Sequence, residues 1–86
     1  MATVFIPSLL RSLADGAVTL EVAGGTLREV IDTLGQRYPD LRARVVDADI
    51  IRSEIMIAIN SDEATDLDAR VAADAEVHIL PAISGG

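Results

Sequence analysis

The stretch Thr26-Leu27-Arg28-Glu29-Val30-Ile31-Asp32-Thr33-Leu34-Gly35-Gln36-Arg37-Tyr38 decides the fold, because it is the clearest helix in the chain. Thr26 is followed three residues later by Glu29, which is the capping-box pattern of a helix N-terminus. Pro39 disfavours helical backbone at the residue before it and therefore ends the helix near Tyr38. Apolar side chains recur at helical spacing and predict one buried face: Leu27, Val30, Ile31, Leu34 and Tyr38.

Two strands are predicted before this helix. The run Thr3-Val4-Phe5-Ile6-Pro7 is rich in β-formers and is closed by proline, which indicates a first strand. Residues 17–22 alternate and place Val18, Leu20 and Val22 on one face, as in a half-buried second strand. The turn signal Asp15-Gly16 lies between them, so we expect a β-hairpin with a long loop over the first 23 residues.

The segment that follows the helix predicts a short second helix and one strand. Asp40 is a candidate cap for a helical segment from Leu41 to Val46, and residues 47–53 are interpreted as a loop. Ile55, Ile57 and Ile59 then alternate with Met56 and Ala58, which predicts a third strand with the isoleucines on the buried face.

The last third of the chain predicts a turn, a weakly patterned segment and a final strand. Asn60-Ser61-Asp62-Glu63 is a polar turn, and residues 64–71 allow a short edge strand. Glu76-Val77-His78-Ile79-Leu80 is the final strand, and Pro81 ends it because proline cannot donate to a β-ladder.

The order β-β-α-β-(β)-β predicts an α+β fold, in which one main helix covers one face of a mixed four- to five-stranded sheet. This is the β-grasp arrangement, with the first and last strands side by side at the centre of the sheet. We expect residues 1–81 to form the domain and residues 82–86 to form a flexible tail that ends in Gly85-Gly86. Glycine lets a backbone approach another surface closely, so such a tail could enter a channel too narrow for side chains.

Composition excludes several classes of partner and chemistry. The formal net charge of -7 repels nucleic acid and anionic membrane surfaces. Phe5 and Tyr38 are the only aromatic residues, too few for base-stacking platforms. The chain has no cysteine and no lysine, so disulfides, zinc thiolates and lysine Schiff bases are excluded. It shows no signal peptide or membrane-spanning run, and we therefore expect a cytoplasmic protein.

The sequence also offers little for self-contained catalysis. His78 is the only histidine and has no serine or aspartate partner at a motif spacing, so we interpret it as an exposed strand residue. Carboxylates occur in pairs, such as Asp47 with Asp49 and Asp66 with Asp68, without an ordered metal-ligand pattern. We therefore predict no metal site and no enzymatic activity of the chain alone.

The whole chain resembles the ubiquitin-like sulfur carriers of prokaryotes, which include the small subunit of molybdopterin synthase and the thiamine and cysteine-biosynthesis carriers. The resemblance rests on the β-grasp pattern, on Leu80-Pro81-Ala82-Ile83-Ser84-Gly85-Gly86, on the Ile59-Asn60-x-Asp62 turn, and on Ile6-Pro7 followed by Leu10-Arg11. Thiamine carriers usually lack a proline before the tail. The Leu-Pro-Ala form is therefore similar to the cysteine-biosynthesis or molybdopterin type.

The resemblance implies a chemistry that belongs to partner enzymes. An E1-like adenylyltransferase/sulfurtransferase would use ATP to adenylate the Gly86 carboxylate, and sulfur would then replace AMP to give a thiocarboxylate. Gly85 would permit access, and Pro81 would direct the tail away from the sheet. The acceptor would be the large subunit of molybdopterin synthase or a cysteine synthase. The carrier itself would bind no cofactor.

A carrier must be held while its tail reacts, and strand alternation predicts the surface that is held. Met56, Ala58, His78 and Leu80 point away from the buried isoleucines and valines, onto the face that the helix leaves open. We predict that partners bind residues on this face and around the root of the tail: Met56, Ala58, His78, Leu80, Pro81 and Ile83.

Two other functions remain open from the sequence. The same tail could be conjugated to lysines of other proteins, which would make the chain a ubiquitin-like modifier. Alternatively, the chain could be a non-catalytic β-grasp binding domain whose terminal glycines have no role.

Overall fold

The computed structural model describes residues 1–82, and residues 83–86 lie outside the described range. Seven strands, two α-helices and one 3₁₀-helix form the described part of the chain. In chain order these elements are β1 (Ala2–Phe5), the 3₁₀-helix (Ser8–Ala14), β2 (Thr19–Val22), α1 (Leu27–Arg37), α2 (Pro39–Val45), β3 (Val46–Asp47), β4 (Ile50–Ile51), β5 (Ile55–Ile59), β6 (Asp62–Ala64) and β7 (Glu76–Pro81).

Five of these strands form one mixed sheet in the order β2-β1-β7-β5-β6. The first and last strands, β1 and β7, pair in parallel, with Val4 opposite Val77. The other neighbours, β1 with β2, β5 with β7, and β5 with β6, pair antiparallel. The predicted β-grasp arrangement is therefore confirmed, and β7 lies between two partners in the middle of the sheet.

Helix α1 packs its predicted apolar face into the core. Leu27, Val30, Ile31 and Leu34 are all at most 3% exposed. They join buried side chains from the sheet and from α2, so one continuous hydrophobic cluster lies between the helices and one face of the sheet. The buried members from the strands are Ala2, Val4, Leu20, Val22, Val46, Ile57, Ala64, Val77 and Ile79.

The predicted N-cap of α1 is formed, and the return bond of the capping box is shifted by one residue. The Thr26 hydroxyl accepts from the Glu29 N–H at 3.2 Å. The Glu29 carboxylate in turn accepts from the Gly25 N–H at 2.7 Å, one residue before the usual position of the return bond. These two bonds satisfy N–H groups that would have no partner within the helix.

The predicted first hairpin is correct in its strands but wrong at the start of the second strand. Strand β2 begins at Thr19, and Val18 is 53% exposed instead of lying on the buried face with Leu20 and Val22. The Val18 carbonyl accepts from the Ile6 N–H beyond the end of β1, while the chain is still turning. The long loop of the hairpin is a 3₁₀-helix.

The connection between α1 and β5 also differs from its prediction. Helix α2 begins at Pro39, which needs no N–H partner in the first turn, so Asp40 does not cap it. The hairpin β3–β4 occupies most of the segment interpreted as a loop, residues 47–53, and begins one residue earlier at Val46, which was predicted to be helical. Its turn places Ala48 and Asp49 at φ 50° and 64°, as a type I′ turn requires. Alanine gives no signal for this backbone, which explains why the pattern was missed.

The polar turn after β5 is shorter than predicted. Only Asn60 and Ser61 form it, and Asn60 has a φ of 57°. Asp62 and Glu63 already belong to the edge strand β6, whereas the sequence predicts an edge strand within residues 64–71. Edge strands are often short and charged, which removes the alternation that would have revealed this one.

Glycine is required at one position ahead of α1, which gives a stability prediction. Gly24 has a φ of 155°, and a Cβ there would lie 2.7 Å from the Val30 backbone nitrogen. We expect Gly24→Ala to lower the free energy of unfolding by about 1–3 kcal/mol. The matched control is Gly25→Ala, whose Cβ would meet only Glu29 Oε1 at 3.4 Å. Urea denaturation of both variants tests this, and equal stabilities would contradict it.

Candidate functional site

The uncovered face of the sheet brings together the four predicted docking residues of β5 and β7. The register sets His78 opposite Ala58 and Leu80 opposite Met56. On its other side, His78 lies opposite Phe5 of β1. All five alternate with core residues and so point away from α1. We call these side chains the outer-face patch: Phe5, Met56, Ala58, His78 and Leu80.

His78 is held in place within this patch. Its ring stacks on Phe5 with a centroid distance of 4.3 Å and an angle of 5° between the planes. Its Nε2 lies 3.3 Å from Glu76 Oε1, and its side chain is 32% exposed. The interpretation as a freely exposed histidine therefore misses the packing. Phe5 was not among the predicted docking residues, because only the parallel register of β1 and β7 places it beside His78.

Carboxylates border the outer-face patch on the sides away from the end of β7. Glu63 of β6 lies opposite Ala58. Thr3 lies opposite both Glu21 and Glu76, and its hydroxyl is 3.2 Å from the Glu21 carboxylate. The patch is thus an apolar centre with an acidic border, and a complementary partner would present apolar side chains flanked by basic ones.

Pro81 is placed on the opposite face from the outer-face patch. It pairs with Ile55 at the start of β5, and by alternation it follows Val77 and Ile79. The next residue, Ala82, donates its N–H to the Glu54 carbonyl at 2.9 Å. The chain therefore stays beside β5 for one residue beyond Pro81, instead of turning away from the sheet there.

A groove opens on this side of the sheet at the point where the described chain ends. Its lining comes from the segment after β1, from α2, from the start of β5 and from the end of β7. We call it the tail-root groove, and its lining residues are Pro7, Leu9, Leu10, Arg44, Arg52, Glu54, Ile55, Pro81 and Ala82. The predicted site residues Ile83, Gly85 and Gly86 lie outside the described residues, and their roles stay predictions.

Charged groups in the tail-root groove interact with one another. Arg52 Nε lies 3.1 Å from Glu54 Oε1. The hydrogen bond from Arg52, with further contributions from backbone hydrogen bonding and from the charge of Arg44, holds the pKa of the Glu54 carboxyl below its usual range. Glu54 is therefore ionised near neutral pH, and it partly offsets the two arginines.

Two carboxylates from the acidic pairs, Asp49 and Asp68, form ion pairs with an arginine. Arg28 lies 3.1 Å from Asp49 and 3.4 Å from Asp68, and hydrogen bonding to Asp68 is the main cause of its raised pKa. Across residues 1–82, no three histidine or carboxylate side chains are grouped to hold a metal ion. Within the same residues, no helix has the length and apolar character needed to cross a membrane.

Neighbouring residues of β7 point to opposite faces of the sheet, so one substitution on each face gives a prediction and its matched control. Leu80 is 40% exposed on the outer face, whereas Ile79 is 2% exposed in the core. We expect Leu80→Asp to change the free energy of unfolding by about 1 kcal/mol or less. Ile79→Asp buries an unpaired charge and should cost more than about 4 kcal/mol. Thermal and urea denaturation provide the measurement, and a Leu80→Asp variant as unstable as Ile79→Asp would overturn the assignment of faces.

The Glu54 contact predicts a pH dependence of known sign. Because folding lowers the pKa of Glu54, its stabilising contribution is present above the unfolded pKa and is lost as the pH falls through the folded pKa. The contribution to stability is small, since the side chain is 62% exposed. An NMR titration of the Glu54 carboxyl carbon should give a midpoint below the usual value of a glutamate, and Arg52→Gln should raise it. An unchanged midpoint in Arg52→Gln would contradict the assigned cause.

Comparisons with known proteins agree with this geometry. One chain of the Amycolatopsis orientalis BexX/CysO complex is 31% identical, with a TM-score of 0.91 over 100% of both chains. Mycobacterium tuberculosis CysO is 28% identical, with a TM-score of 0.88 over 96% of this chain and 100% of that one. The small archaeal modifier protein 1 (SAMP1) of Methanosarcina acetivorans is 26% identical, with a TM-score of 0.83 over 99% and 95%. A comparison with curated protein sequences finds no match.

The sequence profile of the ThiS family matches residues 4–86, which includes the terminal Gly85-Gly86. The predicted resemblance to ubiquitin-like sulfur carriers is thereby confirmed at the level of family and fold. Since the match spans almost the whole sequence and the sheet has the β-grasp order, the chain belongs to the ThiS family.

Proposed function

We propose that the protein is a sulfur carrier whose Gly86 carboxylate is adenylated by an E1-like enzyme and converted to a thiocarboxylate. The observation that carries the proposal is the family match through Gly86. The fold supports it, because β7 is the central strand of the sheet and ends four residues before Gly85. A tail that begins at a strand paired on both sides keeps its reacting end at a limited distance from any docked domain.

The proposed reaction has two balanced steps. A carboxylate oxygen of Gly86 attacks the α-phosphorus of ATP, and pyrophosphate leaves as the acyl adenylate forms. A donor at the oxidation level of sulfide then attacks the carbonyl carbon, and AMP leaves as the C–S bond forms. The product is a thiocarboxylate whose sulfur is a better nucleophile than the original oxygen. Activation is needed because a free carboxylate is a poor electrophile.

In this proposal the chemistry is supplied by partners, and the chain contributes an anchored domain and a reactive terminus. ATP is a substrate held by the E1-like enzyme. The outer-face patch is the docking surface, with Phe5 added to the four residues expected from alternation. Because the adenylating partner uses cytoplasmic ATP, we expect the carrier to act in the cytoplasm.

A sulfur-accepting synthase is the second proposed partner. The CysO of Amycolatopsis orientalis forms a complex with BexX, so a protein of this shape does assemble with another chain. The Leu80-Pro81-Ala82 sequence ahead of the tail supports a cysteine synthase or the large subunit of molybdopterin synthase as the acceptor.

Similarity to SAMP1, a small archaeal modifier protein, favours a second candidate function, in which the tail is conjugated to lysines of other proteins. Mass spectrometry of protein purified from its own cells distinguishes the two. Replacement of one terminal oxygen by sulfur supports the carrier. A remnant of the tail attached to lysines of other proteins supports the modifier. An unmodified terminus with no such remnant argues against both.

Changing the length of the tail tests the carrier proposal directly. We expect deletion of Gly86, or addition of one residue after it, to abolish ATP–pyrophosphate exchange with the cognate E1-like enzyme. One residue moves the terminus by roughly 3.3–3.6 Å, and misplacing a reacting group by about 1 Å can cost 10²-fold in rate. Gly86→Ala, which adds a Cβ at the terminus, should show a smaller loss.

The control for these variants is the thermal unfolding midpoint. It should not change in any of them, because the buried core found among residues 1–82 lies within residues 2–79 and Gly86 has no side chain to bury. Exchange at the wild-type rate after deletion of Gly86 would refute the carrier proposal.

A further inference from the structure

The tail-root groove has an exposed apolar surface. Leu9 is 77% exposed, which makes it one of the most exposed large apolar side chains in the described part of the chain. It lies in the 3₁₀-helix beside Leu10, and Ile55 and Pro81 line the groove with it. Burial of an exposed apolar surface of this kind against a partner contributes favourable free energy to binding.

The charge of the groove is opposite to that of the protein. Arg52 is paired with Glu54, whereas Arg44 forms no ion pair with any residue in the range 1–82. The groove thus has two arginines and one glutamate, while the rest of the chain has five arginines against thirteen acidic residues. A ligand with a carboxylate is attracted to this groove and repelled by most of the remaining surface.

The separation of Gly86 from the groove indicates which partner lies near the groove. Ala82 lines the groove, and Gly86, the residue proposed to react, is four residues further along the chain. Four residues span at most roughly 13–14 Å when fully extended. An enzyme that holds the Gly86 carboxylate in its active site therefore has its own surface within that distance of the groove.

We propose that the tail-root groove is a second docking site, which binds a segment of the activating enzyme that presents an apolar side chain next to a carboxylate. The apolar side chain packs on Leu9, Ile55 and Pro81, and the carboxylate pairs with Arg44. This inference rests on the proposed function. The groove and the outer-face patch lie on opposite faces of the sheet, so the two sites hold the root of the tail from both sides.

The charge part of the proposal is tested by isothermal titration of the full-length chain with the cognate E1-like enzyme, without ATP. The variants are Arg44→Gln and Arg44→Glu. Their matched controls are Arg70→Gln and Arg70→Glu, because Arg70 is exposed and bridges to Thr26 near the start of α1, toward the opposite end of the sheet. We expect Arg44→Glu to raise Kd about three- to tenfold and Arg44→Gln to raise it less. Both Arg70 variants should stay within about twofold.

Two further measurements separate a loss of binding from a loss of folding: the salt dependence of Kd, and the binding of a variant that removes an apolar side chain. Added salt should raise Kd more for the wild type than for Arg44→Gln, because the variant has lost a screened attraction. Leu9→Ala should also weaken binding while leaving the thermal unfolding midpoint unchanged, since the side chain is mostly exposed.

The outcomes separate this inference from the function on which it rests. If the wild type binds and is activated, and the Arg44 and Leu9 variants bind equally well, the groove is not a docking site and the carrier proposal stands. If the wild type neither binds nor supports ATP–pyrophosphate exchange, the carrier proposal fails and the groove proposal fails with it. Equal losses in the Arg44 and Arg70 variants would indicate a general charge effect and would overturn the specific site.

Discussion

The parallel pairing of β1 and β7 is the constraint on which the rest of the structure depends. It joins the two ends of the chain at the centre of the sheet, with Val4 opposite Val77 and Phe5 opposite His78. The valines are each 1% exposed, and burial of such a side chain contributes about 1.5–3 kcal/mol. The same pairing that closes the core therefore also builds the outer-face patch.

Strand β7 serves the fold and the site through its alternation. Val77 and Ile79 point into the core, while His78 and Leu80 point to the uncovered face. Pro81 lies on the same side as Val77 and Ile79, where it lines the tail-root groove together with Arg44 of α2. The proposed reactive glycine thus follows a strand that is paired on both sides, and the outer-face patch and the tail-root groove lie on opposite faces of the sheet next to the end of that strand.

Electrostatics separates these two surfaces. The outer-face patch has Glu21, Glu63 and Glu76 along its border, in keeping with a net charge of -7. The tail-root groove instead contains Arg44 and Arg52. The partner surfaces proposed for the two faces would therefore differ in charge, because a basic surface complements the outer-face patch and an acidic one complements the tail-root groove.

The α1 helix and the alternation of β5 and β7 can be predicted from the sequence alone, because periodicity and capping are local properties. The β3–β4 hairpin and the short strand β6 cannot be predicted in the same way, since Ala48 in a left-handed turn and a charged edge strand give no local signal. The stacking of Phe5 on His78, and the placement of Arg44 in the same groove as Leu9 and Pro81, follow only from the tertiary structure. The residues brought together in this way are distant in the sequence. Strand register and the packing of α2 bring them together, and neither is encoded in any single segment.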